Sequence, residues 1–143
     1  MILVNSLEVE CTPERAHFTD AGLDLKAKVS VEIGVGEVVK VPVGIRLEIP
    51  TGHVGLIFPR SGLGSKKGII LANTVGVIDS DYRGEVICVL KNTSSFPYTV
   101  DQYERVAQLV VVPCLIGDFL EVNEEDLSDT DRGEGGFGHT GTQ

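Results

Sequence analysis

Short apolar runs with a period of two, separated by turn residues, recur along most of the chain and restrict its fold more than any other feature. Apolar and polar side chains alternate over residues 23–29 and 45–49. Further apolar runs occupy positions 54–58, 69–71, 75–78, 86–90, 105–112 and 119–122. A period of two places alternate side chains on opposite faces of a β-strand. The pattern predicts a sandwich or barrel of many short strands.

The composition supports the same fold class. The chain contains 20 valines and 10 isoleucines against 5 alanines, and β-branched side chains pack better on a pleated sheet than in a helix. Only residues 61–68 predict a helix, with Ser61 as its N-cap and Lys66 and Lys67 in its last turn. Two glycines limit this helix to one or two turns. We therefore predict an all-β chain with a single short helix.

The C-terminal segment differs in composition from the rest of the chain. Residues 121–131 contain six acidic and no basic side chains, and residues 132–143 contain five glycines. A segment so rich in glycine cannot hold a strand or a helix alone. With 143 residues, the chain has the length of one domain. We predict a β domain over residues 1–131 and a flexible glycine-rich arm over residues 132–143.

The net charge of −9, from 12 basic and 21 acidic residues, argues against several partners. Binding to nucleic acid or to an anionic membrane favours a basic protein, so we expect neither. Three scattered cysteines do not make a disulfide framework. The first residues show no secretory signal, and the longest apolar run, residues 109–116, is too short to span a bilayer. These features predict an intracellular protein.

Several apparent motifs do not indicate a function, because the surrounding sequence lacks the features that each motif requires. Gly133, Gly135 and Gly138 match the pattern G-x-G-x-x-G, but no strand–turn–helix unit surrounds them. The three histidines have no metal-ligand spacing with one another or with the cysteines. Asn92 begins a formal glycosylation sequon, which the lack of a secretory signal argues against.

Polar residues next to the predicted strands supply the candidate chemistry. Asp79 follows the apolar run 75–78, where a carboxylate beside a dry wall can hold and deprotonate a water. A plain turn residue is the alternative for Asp79. Arg60, Ser61 and Gly62 stand at the start of the predicted helix, whose free N–H groups and partial positive charge suit a phosphate.

Four further polar residues allow an ordinary interpretation as well as a functional one. Asp24 and Gln108 stand between core-facing residues and so occupy the opposite face of their strands. Solvent exposure alone would explain both of them. A half-buried strand end would explain Tyr82, and solvation within a glycine-rich tail would explain Arg132.

Five blocks, in their order and spacing, resemble the motifs of one enzyme family. They are AGLDL (21–25), PRSG (59–62), GVIDSDYRGE (76–85), ERVAQLV (104–110) and RGEGGFG (132–138). Together they resemble the homotrimeric dUTP pyrophosphatases, or dUTPases, over nearly the whole chain from Ala21 onward. Two positions depart from the family pattern. Asp20 stands where a small residue is usual, and His139 where many members have serine; we expect neither to touch the chemistry directly.

The resemblance implies how the third block handles the nucleoside. Asp79 matches the aspartate that holds the attacking water. The hairpin of this block is expected to bind uracil through its main chain, with Asn73 and Gly76 beside the base. Tyr82 matches the tyrosine on which the deoxyribose stacks.

The other blocks are expected to handle the phosphates and to close the site. The implied triphosphate contacts are Arg60, Ser61, Gly62, Gln108 and, from the arm, Arg132. Phe137 is expected to stack on the base, with Gly138 beside it. Asp24 is expected to contact Mg²⁺ only through water, because Mg²⁺ keeps several waters and binds mainly through substrate phosphates.

The resemblance implies a jelly-roll-like subunit, or distorted β-barrel, that works as a homotrimer with shared active sites. The expected reaction is Mg²⁺-dependent hydrolysis of dUTP to dUMP and pyrophosphate, which limits uracil in DNA and supplies dUMP for dTMP synthesis. Two alternatives stay open. One is a dCTP deaminase of the same fold, which needs a glutamate base and typically has a different third block. The other is a nucleotide-responsive regulatory protein.

Overall fold

Eleven strands and one helix make up the regular structure of residues 1–136, the part of the chain that this computed structural model describes. The strands are β1 (Leu3–Ser6), β2 (Leu23–Lys26), β3 (Val31–Ile33), β4 (Val38–Pro42), β5 (Ile45–Glu48), β6 (His53–Pro59), β7 (Ile69–Leu71), β8 (Gly76–Ile78), β9 (Ile87–Asn92), β10 (Tyr98–Val100) and β11 (Arg105–Pro113). The helix α1 (Ser61–Lys67) connects β6 to β7. Short 3-10 turns occupy Val9–Cys11 and Glu124–Asp126. The predicted all-β class with one short helix is confirmed.

The strands pair antiparallel and form four small sheets. The largest sheet has the order β2-β11-β6-β8, and a three-stranded sheet has the order β4-β9-β7. Two further pairs join β1 with β5 and β10 with β3. Alternation fixes the register: in β5, Ile45 and Leu47 are buried while Arg46 and Glu48 are exposed. A shift by one residue would turn this apolar row to solvent.

All four sheets contribute aliphatic side chains to one core. Its largest fully buried members include Leu25, Ile33, Ile45, Ile57, Ile69, Leu90 and Leu109. Burial of each such side chain contributes roughly 1.5–3 kcal/mol to folding. The core thus holds the strands that carry the polar residues discussed below.

Asn92 is a fully buried polar residue at the end of β9. Its amide nitrogen donates to the main-chain oxygens of Ile33 at 2.9 Å and of Phe96 at 2.7 Å. Its amide oxygen accepts from the main-chain N–H of Ser94 at 2.9 Å and from the hydroxyl of Ser94 at 2.8 Å. Because both donors and the acceptor are used inside the protein, this asparagine cannot carry a glycan.

The helix α1 begins differently from the sequence prediction. Arg60, with φ −85° and ψ 134°, occupies the N-cap position, and Ser61 is the first helical residue. The predicted N-cap role of Ser61 is therefore wrong, because β6 continues to Pro59 and leaves only Arg60 for the change of direction. Lys66 and Lys67 lie in the last turn, as predicted.

The prediction of a last strand over residues 119–122 is also wrong. This segment has no regular structure, and the side chains of Phe119 and Leu120 are 103% and 86% exposed. A strand needs a hydrogen-bonded neighbour, and no other part of residues 1–136 pairs with this segment. Within the same range, no helix is long and apolar enough to cross a membrane.

Candidate active site

A polar cavity of about 400 Å³ lies where β2, the β6–α1 junction and β11 meet. We call it the arginine pocket; its lining residues are Ala16, Asp20, Ala21, Gly22, Asp24, Arg60, Ser61, Gly62 and Gln108. Pairing of β11 with both β2 and β6 aligns Gln108 with Asp24 on one side and with Phe58 on the other. Five residues that the sequence analysis selected, from three separate blocks, thus come together in one place.

Asp24 organises the positive charge of the arginine pocket. Its Oδ1 accepts from Arg60 Nε at 3.0 Å, and its Oδ2 accepts from Arg105 Nη1 at 3.2 Å. Arg60 Nη1 also donates to the main-chain oxygen of Arg105 at 3.1 Å. The carboxylate is only 17% exposed, so simple solvent exposure does not describe Asp24. Arg60 and Arg105 bring charged N–H donors to this site, which suit a phosphate ligand.

Gln108 and Gly22 shape the pocket floor. Gln108 Nε2 donates to the main-chain oxygen of Pro59 at 3.1 Å, which ties β11 to the start of α1. A Cβ atom on Gly22 would lie 2.5 Å from Gln108 Oε1, so a larger residue at position 22 would displace the end of the Gln108 side chain. Ser61 and Gly62 are exposed, and a Cβ on Gly62 would meet no atom within 4 Å. The helix start therefore opens freely toward a ligand.

A second cavity, of about 170 Å³, lies at the far end of β8. We call it the hairpin pocket; it is lined by Val77, Ile78, Asp79, Tyr82 and Ile87. Tyr82 is 41% exposed, and its hydroxyl donates to the main-chain oxygen of Glu85 at 2.9 Å. The ring is thereby fixed as one wall of the cavity.

Asp79 is exposed in the single chain. The expectation of a carboxylate held against a dry wall is therefore not met by one chain alone. The neighbouring apolar side chains of Val77, Ile78 and Ile87 form one side of the cavity but do not cover the carboxylate. Any desolvation of Asp79 must come from a ligand or from another chain.

The β8 strand offers main-chain groups to a ligand. It pairs with β6 along one side, and no described strand pairs with its other side. An unpaired strand edge presents N–H and C=O groups in a row, as a base-pairing partner does. Asn73 precedes this strand, and its side chain is exposed. Gly76 is the first residue of β8, where a Cβ atom would lie 3.2 Å from Ile57.

The two pockets lie at opposite ends of β6. Ile78 pairs with Gly55, which places Asp79 beside the beginning of β6, whereas Arg60 follows its last residue. A strand rises about 3.3 Å per residue, so the roughly six steps from Val54 to Arg60 span about 20 Å. One chain does not bring Asp79 to its own arginine pocket.

The arm residues are described only in part. Arg132 is exposed, and its Nε donates to the main-chain oxygen of Gly135 at 2.7 Å, within its own turn. Phe137, Gly138 and His139 lie outside the described residues.

The donor set near the arginine pocket fits a cation bound indirectly. Residues 1–136 contain no group of three or more His, Cys, Asp or Glu side chains that could hold a metal ion directly. Each oxygen of Asp24 accepts one arginine, and a carboxylate oxygen has a second lone pair for a metal-bound water. This arrangement suits Mg²⁺ that is held mainly by phosphates and waters.

The sequence analysis missed two residues of these pockets. Asp20 lines the arginine pocket, where its carboxylate accepts from the main-chain N–H of His17 at 2.8 Å, although we expected it to be remote from the chemistry. Ile87 lines the hairpin pocket. From the sequence, four arginines could create a local positive site: Arg60, Arg83, Arg105 and Arg132. Arg105 binds Asp24, whereas Arg83 lies 4.0 Å from Glu48.

Comparison with known proteins places the chain in a family. A family model described as dUTPase matches residues 10–141. The deoxyuridine 5'-triphosphate nucleotidohydrolase of Mycolicibacterium gilvum is 44% identical over 133 residues, which cover 90% of this chain and 86% of that protein. The chain belongs to the dUTPase family.

Two solved structures show the same fold. The dUTPase of Staphylococcus bacteriophage 80alpha, determined with the dUTP analogue dUPNHPP, has a TM-score of 0.90 at 30% identity; the match covers 99% of this chain and 98% of that one. It is described as controlling transfer of virulence genes by a G protein-like mechanism. A mutant dUTPase from phage phi11 of S. aureus, described with a structural Mg(II) ion, has a TM-score of 0.82 at 26% identity; the match covers 89% of this chain and 99% of that one.

Proposed function

We propose that this protein hydrolyses dUTP to dUMP and pyrophosphate. Family membership over residues 10–141 supports this reaction. The structural observation that supports a site for this reaction is that one pocket brings together five residues from three sequence blocks. They are Asp24, Arg60, Ser61, Gly62 and Gln108. The reaction removes dUTP before it enters DNA and yields the precursor of dTMP.

Asp79 is the proposed general base. A water held by its carboxylate attacks the α-phosphorus, and the bond from that phosphorus to the bridging oxygen breaks. The water gives one proton to Asp79, the hydroxyl oxygen stays on dUMP, and pyrophosphate leaves. Positioning and charge stabilisation provide most of the catalysis in such phosphoryl transfers.

The arginine pocket is the proposed site of the phosphates. Arg60 donates to phosphate oxygens, while Ser61 and Gly62 offer a hydroxyl and free main-chain N–H groups at the start of α1. Gln108 completes the contacts from β11. Mg²⁺, when bound with the triphosphate, would neutralise part of its charge. Asp24 would contact the cation through water while it holds both arginines in place.

The free edge of β8 is the proposed site of the base. Main-chain groups of this edge and the side chain of Asn73 bind uracil, with Gly76 allowing close approach. Tyr82 stacks on the deoxyribose, and its ring excludes a 2′-hydroxyl by contact. Close approach of the base to this edge would leave no space for the 5-methyl group of thymine.

Residues 132–143 are the proposed closing arm, and residues 1–131 the domain on which it closes. Arg132 is exposed and bound only within its own turn, so it is available to reach the γ-phosphate. Phe137 stacks on the base, with Gly138 beside it. An arginine that arrives with a closing segment stabilises the negative charge that builds up on the leaving pyrophosphate.

A homotrimer with shared sites is the proposed assembly, and the outer face of the largest sheet supports it. Cross-strand pairing aligns Leu56 with Val77 and with Val110, and Val54 with Val112. Val77 is 61% exposed, and the others are partly exposed. Such a continuous aliphatic surface marks an interface between proteins. A neighbouring chain on this face would also explain how Asp79 meets an arginine pocket about 20 Å away along β6.

One observation favours a second role. The phage 80alpha relative is described as a controller of virulence gene transfer, and arm closure over dUTP offers a nucleotide-dependent signal. We therefore propose nucleotide-responsive regulation as a secondary function. A nucleotide substrate is in keeping with an intracellular location, and the net charge of −9 argues against nucleic acid as the partner.

Side-by-side assays of pyrophosphate release from dUTP, dTTP, dCTP and UTP, with and without Mg²⁺, test the enzymatic proposal. We expect kcat/KM for dUTP to exceed that for each other nucleotide by at least about 100-fold. Ammonia release from dCTP would instead establish the deaminase alternative. Equal turnover of UTP and dUTP would contradict the role given to Tyr82.

A further inference from the structure

A γ-turn centred on Thr74 connects β7 to β8. The main-chain N–H of Val75 donates to the oxygen of Asn73 at 2.6 Å, and Thr74 has φ +60°. A γ-turn with positive φ is rare and strained. For a β-branched residue, the left-handed region is a conformation that the surroundings must impose.

Two further hydrogen bonds hold this strained turn in place. The main-chain N–H of Thr74 donates to the oxygen of Leu71 at 3.1 Å, and its hydroxyl donates to the oxygen of Asn73 at 2.6 Å. Asn73 therefore accepts two hydrogen bonds at its carbonyl, one from Val75 and one from Thr74. A carbonyl oxygen has two lone pairs, so this acceptor is saturated.

Saturation of the carbonyl decides what Asn73 offers to a ligand. Within residues 1–136, neither its main-chain N–H nor its carboxamide makes a hydrogen bond, and the side chain is exposed. The N–H donors of Asn73 suit a carbonyl oxygen of a nucleobase. Its carboxamide oxygen suits a ring N–H, so together they match an amide-like base edge.

We propose that Thr74 is a positioning residue for the nucleobase: its γ-turn fixes Asn73 with donors and carboxamide facing outward and the carbonyl tied back. This inference rests on the proposed function, in which Asn73 binds the base. Strain that the native contacts maintain keeps the binding group ordered before the ligand arrives, and a preordered group loses less entropy on binding. Thr74 touches neither phosphate nor attacking water, so its effect is on affinity.

Three substitutions separate the elements of this arrangement. Thr74→Gly removes both the hydroxyl bond and the restriction on φ, Thr74→Ala removes the hydroxyl bond, and Thr74→Ser keeps that bond. Ser30→Ala is the matched control, because the Ser30 hydroxyl likewise donates to a main-chain oxygen, that of Val100 at 3.0 Å, outside both pockets. Each variant is assayed as the full chain for dUTP turnover, dUMP binding and inhibition by inorganic pyrophosphate.

We expect Thr74→Gly and Thr74→Ala to raise KM and the dUMP dissociation constant by about three- to tenfold, the value of one net hydrogen bond. Their kcat, inhibition by pyrophosphate and melting temperature stay near wild type. Thr74→Ser behaves like wild type throughout, and Ser30→Ala keeps the wild-type KM, kcat and dUMP dissociation constant. In Thr74→Gly, relief of backbone strain stabilises the folded state, while the greater conformational freedom of glycine stabilises the unfolded state. Because these two effects oppose each other, we expect this variant to fold normally.

A KM for Thr74→Gly within twofold of wild type would overturn this inference, and so would a fall in kcat at unchanged KM. Equal weakening of dUMP and pyrophosphate binding would also overturn it, since that result indicates general distortion of the site. A wild-type chain without dUTP turnover contradicts the proposed function itself. The two proposals therefore fail by different measurements.

Discussion

Asp79 combines exposure in the single chain with a position next to the apolar wall of the hairpin pocket. Because no described side chain bonds to its carboxylate, the residue contributes little to folding. We expect Asp79→Ala to lower kcat by about 10²–10⁴-fold, the usual effect of losing a general base. The melting temperature should stay within a few degrees of wild type. Turnover above a tenth of the wild-type rate would show that another group is the base.

Cys88 makes stability depend on alkaline pH. Burial in β9 leaves the thiol 1% exposed and raises its pKa to about 12, from 9.0 in an exposed chain. As pH rises, the unfolded chain loses the thiol proton near pH 9, whereas the folded chain keeps it until about pH 12. The contribution of Cys88 to the unfolding free energy is therefore complete below pH 9 and is lost as pH rises toward 12.

Replacement of this thiol should flatten the pH profile. The unfolding free energy of both proteins is compared at pH 8 and pH 10. The decrease over this range should be about 1.4 kcal/mol smaller for Cys88→Val than for wild type. Urea titrations at pH 8, 9 and 10 measure this difference. Parallel profiles for the two proteins would show that the thiol is not the titrating group.

At the scale of elements, Gly68 links α1 to β7 and is the residue at which α1 ends. Its φ is +69°, and a Cβ atom there would lie 3.0 Å from both the main-chain nitrogen and the Cβ of Ser94. Gly36 is a matched control with φ +75° and no atom within 4 Å of its Cβ position. Both alanine substitutions place a side chain on a backbone with left-handed φ, but only the Cβ of Gly68→Ala contacts a neighbouring residue, Ser94.

We expect Gly36→Ala to lower the unfolding free energy by about 1 kcal/mol and Gly68→Ala by about 2–3 kcal/mol. Gly68→Ala should also raise KM for dUTP, because the displaced loop moves α1. Urea denaturation of both variants measures the difference. An equal loss in the two would mean that Ser94 moves away without penalty.

Elements with a strong local pattern could be predicted from the sequence, and those defined by a distant partner could not. The alternation in β5 and the apolar runs of β6 and β11 lie where the sequence indicated. The strands β1, β3, β4 and β10 were missed, because short runs acquire strand character only through pairing such as that of β10 with β3. Residues 119–122 carry the pattern but have no partner within the described chain.

The same distinction holds for the candidate site: its residues could be predicted from the sequence, but their contacts could not. The blocks identified the residues, and antiparallel pairing of β2, β11 and β6 brings the second and fourth blocks to Asp24. No sequence pattern indicated that Asp24 would bind both Arg60 and Arg105. Side-chain contacts across 81 positions depend on register, which the turn at each strand end decides.

At the scale of the whole molecule, the separation of the two pockets supports the proposal that each site uses two chains. Asp79 lies beside the start of β6 and Arg60 beyond its end, about 20 Å apart. The α-phosphate must contact both if the proposed reaction is correct. Each site then takes its hairpin pocket from one chain and its arginine pocket from another, whereas Asp24 and Arg60 always come from the same chain.

Mixed trimers of two inactive variants test this arrangement. Asp79→Ala and Arg60→Ala chains are unfolded, mixed equally and refolded, and light scattering confirms a mass of three times 15.3 kDa. Random assembly of a closed trimer gives about a quarter of sites with an intact Asp79 from one chain and an intact Arg60 from another. We therefore expect about a quarter of wild-type activity.

An equal mixture of Asp24→Ala and Arg60→Ala is the matched control and should regain no activity, because every arginine pocket in it carries one substitution. If the first mixture also stays inactive as a trimer, hairpin and arginine pocket belong to one chain and the shared site is wrong.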